Sequence, residues 1–377
     1  MTDRFASVGA ELAALETEGL RRRLRVIDGG QSAELLVNGQ RVANFSSNNY
    51  LGLADDPILR DAATRAMAAY GFGAGASRLI AGNLPPHRML EARIARWKGT
   101  EAALLFNSGY HANLGAISAL AGPSDVIFSD ELNHASLIDG CRLSRARVVV
   151  YPHRDVDALA AQLSREHGRR RLILTDSTFS MDGDRAPLEA LSALASAHDA
   201  WLIVDEAHDA GIVDDRTAVD LRIGTLGKAL GGFGAYAAGG RAVIELLMQR
   251  ARSFVFTTAL PIPVVAAAHA AIDWLATEDG RRRRQRLHEN YRYFHERRGL
   301  GGSASHIVPL AVRDGDPRRA MLACEALLER GVFAQGIRPP TVPPGTSRLR
   351  FSLMATHTRD QIDRAIDALA DLHEHFT

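Results

Sequence analysis

The sequence predicts an α/β protein: a mostly parallel sheet covered by helices, followed by a smaller α+β unit. Three observations carry this. Short apolar runs, AALLF (102–106), VIF (126–128), VVVY (148–151), LILT (172–175) and WLIV (201–204), alternate with amphipathic or Ala-rich stretches at 110–121, 155–165 and 187–197. That alternation is the pattern of a parallel sheet packed between helices. The runs are continuous rather than alternating in polarity, as expected for strands buried on both faces. After residue 280 the pattern changes to HIVPLAV, a helix from Pro317 to Arg330, SRLRFSLM and a last helix from Thr358.

The elements follow in order. Residues 11–23 read as a helix ending in Arg21, Arg22 and Arg23. Pro57, after Asp55 and Asp56, is a helix-start signal, and an Ala-rich run continues to Tyr70. GFGAGAS (71–77) breaks it, and His87 to Trp97 is helical again, with Leu90, Ile94 and Trp97 at helical spacing. Residues 241–277 are helical with Pro261 and Pro263 interrupting, and RRRRQR (281–286) opens a long polar helix. The expected division is an N-terminal segment 1–45, a large domain 46–280 and a small α+β domain 281–377. The first segment is expected to lie over the small domain or a partner subunit.

Composition narrows the function classes. The chain has 377 residues, 46% of them hydrophobic, so a large core needs no staples. Lys plus Arg is 45 against 44 for Asp plus Glu, which gives no basic excess for a nucleic-acid footprint. Two cysteines, Cys141 and Cys324, are too few for a disulfide or zinc framework. No apolar run approaches the ~20 residues of a membrane span, and the first twenty residues lack a signal-peptide core. The expectation is a cytoplasmic protein with no membrane and no nucleic-acid partner.

In an open α/β sheet, ligands bind beyond the carboxyl ends of the strands. Five runs end in polar clusters: Asn107-Ser108-Gly109-Tyr110-His111, Ser129 to His134, Asp176 to Asp184, Asp205-Glu206-Ala207-His208, and Thr225-Leu226-Gly227-Lys228. Lys98 and Lys228 are the only lysines in the chain, and Lys228 lies in a glycine-rich turn after a strand. A lysine amine can be deprotonated and attack a carbonyl, which is the basis of Schiff-base chemistry. An ordinary lysine is a surface charge; this context points away from that. Pyridoxal phosphate requires an acid at its pyridine nitrogen, a donor at its phenolic oxygen, a flat group over its ring and amides at a helix start for its phosphate. Asp205, His208, His134 and Ser108-Gly109-Tyr110 are candidates for these in turn. Singly, a strand-end Asp or a lone His is more often structural; the combination in this order is the signal.

These residues carry a family resemblance. FSSNNYLGL (45–53), GFGAGASR (71–78), NSGYHAN (107–113), DELNHASLIDG (130–140), STFSMDGD (177–184), VDEAH (204–208) and TLGKALGG (225–232) resemble the α-oxoamine synthases. These are fold-type-I, aspartate-aminotransferase-like pyridoxal-phosphate transferases that join an amino acid to an acyl thioester with loss of carbon dioxide. GIRPPTVPPGTSRLR (336–350) is most similar to the members that serve biotin synthesis with L-alanine and a pimeloyl thioester, the pimeloyl group carried by coenzyme A or by acyl carrier protein. Glycine C-acetyltransferase, 5-aminolevulinate synthase and longer-chain acyl transfer remain the alternatives within the family.

The resemblance implies that Lys228 holds the cofactor as an imine and moves the substrate's Cα proton. It implies that Asp205 pairs with the pyridine nitrogen, that His208 pairs with the phenolic oxygen with Ser180 nearby, and that His134 stacks on the ring. Ser108, Gly109, Tyr110 and Thr225 would hold the phosphate. Asn48 and Arg350 would grip the amino-acid carboxylate, and Arg21 would line the acyl side. Thr257 and Thr258 would reach the neighbouring subunit's phosphate in a homodimer with shared active sites. The chain departs from the family pattern where Asp209-Ala210-Gly211 follows His208, where Asn49 replaces the usual Asp, and in a short 20-residue connection from His208 to Lys228.

Other classes are disfavoured. The DEAH tetrapeptide suggests a nucleotide-driven motor, but there is no G-x-x-x-x-G-K-[ST] loop, and Lys228 lacks a following hydroxyl. GFGAGAS follows a helix rather than a strand, unlike a dinucleotide fingerprint. No H-E-x-x-H zinc motif is present. The Arg runs at 21–23, 169–171 and 281–284 read as solvated faces, Arg21 excepted. A non-catalytic regulator of the same fold would need an appended DNA-binding domain, for which the first 45 residues are too few.

Overall fold

The computed structural model describes residues 4–301 and 305–376. The chain divides into two compact units. One comprises residues 53–180 and 184–282; the other comprises the chain up to Gly52, Met181–Gly183 and Arg283 onward.

The larger unit is built on a seven-stranded sheet. In spatial order its strands are Ala102–Phe106, Ala235–Gly239, Leu221–Thr225, Trp201–Asp205, Arg171–Asp176, Val126–Asp130 and Arg147–Tyr151. Ala235–Gly239 runs antiparallel to both neighbours, and every other pairing is parallel. All five apolar runs of the sequence are strands of this sheet. Successive side chains point to opposite faces, so a strand between two helix layers must be apolar at every position. Ile127, Leu172, Leu174 and Ile203 accordingly pack with Ala112, Ala116, Leu137 and Leu247. Phe128, Ile173, Leu202 and Val204 belong to the other layer, with Leu159, Leu163, Leu188 and Leu191.

Two readings of this unit are corrected. VVVY is not buried on both sides: Arg147–Tyr151 is the last strand of the sheet, and Val148 and Val150 are exposed. Ala235–Gly239 went unread because AYAAG has no β-branched residue, although the strand is buried throughout.

In the smaller unit Ile307–Ala311, Arg348–Ser352 and Gln335–Ile337 form an antiparallel sheet in that order. A second sheet has the order Ile27–Asp28, Glu34–Val37, Gln40–Asn44 and Val332–Phe333. Its hairpin turns at Asn38-Gly39, both with positive φ (51° and 82°), as a tight type I′ turn requires. Helices Pro317–Glu329 and Arg359–Asp371 start on Asp316 and Thr358, whose side chains cap them. The helix expected over 11–23 instead covers Ala6–Thr17. Gly19 (φ 70°) stops it: Gly19 N–H donates to Glu16 O and Leu20 N–H to Leu15 O, a left-handed C-terminal cap. Arg21–Arg23 therefore lie outside the helix.

Candidate active site

Five parallel strand ends of the larger unit open at one edge of its sheet. Asp205 ends one of them and is buried. Its Oδ2 accepts from Asn113 Nδ2 (2.6 Å) and its Oδ1 from Ala207 N (2.9 Å). Asp176 faces it in register on the next strand and accepts from His134 N (2.8 Å). Burial and the neighbouring Asp205 charge push the Asp176 pKa well above the carboxylate range. Asp205 is thus a buried carboxylate held by neutral donors, a chemistry suited to a cationic ring nitrogen.

Lys228 follows the strand Leu221–Thr225, in a turn closed by Gly231 N–H to Lys228 O (2.9 Å) and Gly232 N–H to Leu226 O (2.9 Å). Gly231 has φ 67°, and a Cβ there would come within 2.5 Å of Leu53 C. Only glycine fits, so the turn is seated on residues 53–54 and the lysine stem is aimed by it. Lys228 Nζ lies 2.7 Å from His208 Nε2. Lys98 is in a different setting: it ion-pairs with buried Glu206 (2.6 Å) and lies 4.1 Å above the Trp97 ring.

His134 caps the helix Ala135–Ser144 and keeps exposed surface, as a ring offering one face to a ligand must. The protein packed around it lowers its pKa, opposed by the charge of Asp205 and reinforced by that of Lys228. Ser108 caps the helix Gly109–Leu120, accepting from His111 N (3.2 Å). The first-turn amides of Gly109 and Tyr110 have no intrahelical acceptor. A Cβ at Gly109 would meet nothing nearer than Thr225 Cβ at 4.0 Å, so the backbone there is open to a phosphate. The Tyr110 side chain is turned aside, its hydroxyl donating to Asp139 Oδ2 (2.6 Å). Thr225 Oγ1 donates to Gly234 O (3.2 Å) and accepts from Gly227 N (3.1 Å). Ser180 is half-buried beyond the strand Arg171–Asp176. Thr257 Oγ1 accepts from Asn107 Nδ2 (2.9 Å), which also donates to Thr258 O (3.0 Å), so this pair borders the Ser108 loop within its own chain.

These donors fit pyridoxal phosphate: a buried anion, an amine beside an imidazole, an exposed ring and an uncovered helix start in one unit. The departure at Asp209 is accommodated internally. Asp209 is buried, accepts from Thr178 Oγ1 (2.8 Å) and lies 3.4 Å from Arg185; burial raises its pKa.

The remaining expected residues lie in the smaller unit. Arg350 is buried; it donates to Asn48 Oδ1 (3.2 Å), Tyr50 Oη (3.1 Å) and Ser352 Oγ (3.0 Å). Arg348, two residues earlier, is committed to Asp182 (2.5 Å). Arg21 pairs with Glu16 (3.2 Å) and lines a cavity of about 870 Å³ with Arg338, Met321, Leu322 and Ile337.

Sequence reasoning gave no role to Asn113, Ser136 and Asp176 around Asp205 and His134, although Asp176 opens a strand-end cluster, nor to Tyr50 and Ser352 around Arg350. Tyr50, Asn113 and Ser136 all stand inside the motifs quoted above, Ser136 two residues after His134. Asp176 ends the LILT strand, directly in register with Asp205.

Comparison with known proteins identifies the family. A curated 8-amino-7-oxononanoate synthase from Geobacter sulfurreducens is 50% identical over 381 residues, covering 97% of both chains. A solved serine palmitoyltransferase from S. paucimobilis, carrying a bound pyridoxal phosphate–myriocin aldimine, superposes with a TM-score of 0.90 at 30% identity, covering 98% of each chain. A solved 8-amino-7-oxononanoate synthase from Francisella tularensis gives a TM-score of 0.73 at 28% identity, covering 88% of this chain and 98% of that one. Residues 40–369 match the aminotransferase class I and II family, and the chain belongs to it.

Proposed function

We propose that this chain is a pyridoxal-phosphate-dependent acyltransferase that condenses L-alanine with a pimeloyl thioester, releasing carbon dioxide and free thiol and forming 8-amino-7-oxononanoate for biotin synthesis. The observation that carries it is the 50% identity, over nearly the whole of both chains, to the curated synthase from Geobacter sulfurreducens. The Lys228–His208 and Asp205 geometry supports the same chemistry.

Pyridoxal phosphate, when bound, supplies an electron sink for negative charge at the amino-acid α-carbon. The residues do the rest. Lys228 would hold the cofactor, and its amine is the base that would take the amino-acid Cα proton and return one. His208, 2.7 Å from that amine, aligns it and would serve the phenolic oxygen together with Ser180. Asp205 would pair with the pyridine nitrogen and favour its protonated form. His134 would cover the ring, and the first-turn amides of Gly109 and Tyr110, with Ser108 and Thr225, would hold the phosphate. Arg350 would take the alanine carboxylate by exchanging the two N–H groups it now gives to Asn48 Oδ1, with Tyr50 and Ser352 holding the guanidinium in place, and Arg21 would serve the acyl side.

The active form is a homodimer in which Thr257 and Thr258 reach the partner's phosphate. Phe72, Ile80 and Phe256, strongly exposed in the larger unit, support a covered face there. Among the described residues no helix is long and apolar enough to cross a membrane, and the setting we propose is cytoplasmic. The deciding experiment offers purified protein alanine, glycine or serine with acetyl, succinyl, pimeloyl and palmitoyl thioesters, on coenzyme A and on acyl carrier protein. Preference for alanine with pimeloyl supports the reading; preference for glycine, or for serine with a palmitoyl donor, overturns it.

A further inference from the structure

Asn113, Ser136, His134 and Asp205 form an unbroken hydrogen-bonded chain in the larger unit. Asn113 Nδ2 is 2.6 Å from Asp205 Oδ2 and 2.8 Å from Ser136 Oγ; Ser136 Oγ is 2.7 Å from His134 Nδ1. Asn113 and Ser136 are fully buried, and Asp205 nearly so.

The direction of every proton in this chain follows from chemistry. An ionised carboxylate only accepts, so the Asn113 amide must present its nitrogen to Asp205. Its second N–H then points at Ser136 Oγ, which has to accept it. The single hydroxyl proton of Ser136 is left for His134 Nδ1, which therefore carries none. The Ser136 backbone N–H approaches the same ring nitrogen (3.3 Å), a second donor on an acceptor site. The orientation has a cost: Asn113 Oδ1 is buried with no hydrogen-bond partner. Turning the amide would satisfy that oxygen's neighbours no better, because it would set oxygen against the Asp205 carboxylate.

We infer that Asn113 and Ser136 are positioning residues that lock His134 as the neutral Nε2–H tautomer for as long as Asp205 is ionised. This rests on the proposed cofactor roles of His134 and Asp205. An imidazolium at His134 would compete with the protonated ring nitrogen for the charge of Asp205, and a Nδ1–H ring would oppose the Ser136 proton. The groups that bear on the ring are Asp205 and Asp139, which favour its charged form, and Lys228, which opposes it. Asp176 fixes its backbone.

The test uses protein labelled with ¹⁵N-histidine, studied with and without pyridoxal phosphate. The His134 signal is assigned by its loss in His134→Gln. At pH 7.5 His134 should show one protonated nitrogen, Nε2, and an accepting Nδ1. Ser136→Ala should convert it to a tautomer mixture with a raised apparent pKa. With cofactor bound, the same variant should slow alanine α-proton exchange about tenfold while leaving the alanine KM unchanged, a split that general loosening would not produce. Asn113→Ala should change the His134 signal through Ser136, although it never touches the ring. A protonated Nδ1 in the wild type, or a His134 signal unmoved by Ser136→Ala, overturns the inference. Because the spectrum is also read without cofactor or substrate, that outcome is separate from any failure of the alanine–pimeloyl reaction.

Discussion

Asp205 and Glu206 are consecutive, equally acidic and both buried at the end of one strand, yet they meet opposite surroundings. Glu206 is enclosed by Lys98 (2.6 Å), the Tyr236 hydroxyl (2.6 Å) and Arg222 (3.4 Å), and Lys98 itself lies against the Trp97 ring. Its charge is neutralised by cations that the fold supplies. Asp205 receives neutral donors only, an amide and a backbone N–H, among the described residues. A buried carboxylate saturated by cations is architecture; one held by neutral dipoles keeps its field for a ligand. The same contrast separates the two lysines, Lys98 in the ion pair and Lys228 beside an imidazole.

The largest expected effect breaks this contrast at Lys228. Lys228→Ala should lower turnover by at least about 10³-fold and remove the visible absorbance of the cofactor imine. If borohydride still fixes cofactor to the variant, Lys98 or another amine does the chemistry and the contrast is false.

Lys98→Met should act on folding instead. It leaves Glu206 buried with one cation fewer and costs about 3 kcal/mol, read from the urea midpoint. The variant should still bind cofactor as a reducible imine, and loss of that imine in a folded protein would place Lys98 in the site.

A pair of substitutions sharpens the comparison for arginine. Arg350→Lys should raise the alanine KM about tenfold, because an ammonium cannot reproduce a two-pronged guanidinium–carboxylate pair. The resting cofactor spectrum should not move. Arg348→Lys should have a smaller effect on alanine, since that side chain serves Asp182. The reverse ranking would reassign the carboxylate site.

The smallest effect concerns a cation that titrates. His153 lies between Asp130 (2.9 Å) and Asp184 (2.8 Å); burial lowers its pKa, but the two carboxylates overcome this and raise it to about 9. With an ordinary value near 6.5, its contribution to stability is complete below that pH and is lost as pH rises through about 9. Denaturation midpoints at pH 6, 8 and 10 should fall in that order, and His153→Gln should flatten the decline. An unchanged slope in the variant would show that the tie does not titrate there.

Most of the sheet was legible because strands buried on both faces must be apolar at every position, which holds for four of the five runs; VVVY, at the rim, is apolar without being so covered. Lys228 was legible for another reason, scarcity: it has one competitor in the chain. What escaped depended on partners distant in sequence. Asn113 and Asp205 are 92 residues apart, and neither residue names the other until the sheet brings them together. The Asn38-Gly39 turn was a local signal passed over, since Asn-Gly between apolar alternations is a strong hairpin mark. Gly19 was another: reading through it stretched the first helix onto Arg21–Arg23. Arg348 and Arg350 share a strand face, so spacing alone could not separate them; the structure adds that Arg348 is paired with Asp182.

The exposed strand Arg147–Tyr151 has a consequence for handling. The opposite rim of the sheet, Ala102–Phe106, is almost wholly buried, whereas here a row of amide and carbonyl groups borders exposed Val148 and Val150. Such a row is a template on which a foreign strand can add. The edge is only five residues long, and its first residue, Arg147, is charged and tied to Glu166. Shortness and an end charge are gatekeepers against intermolecular β-pairing. Replacing Arg147 by an apolar residue would remove that protection, and the loss would appear first as turbidity in concentrated stocks rather than as lost activity.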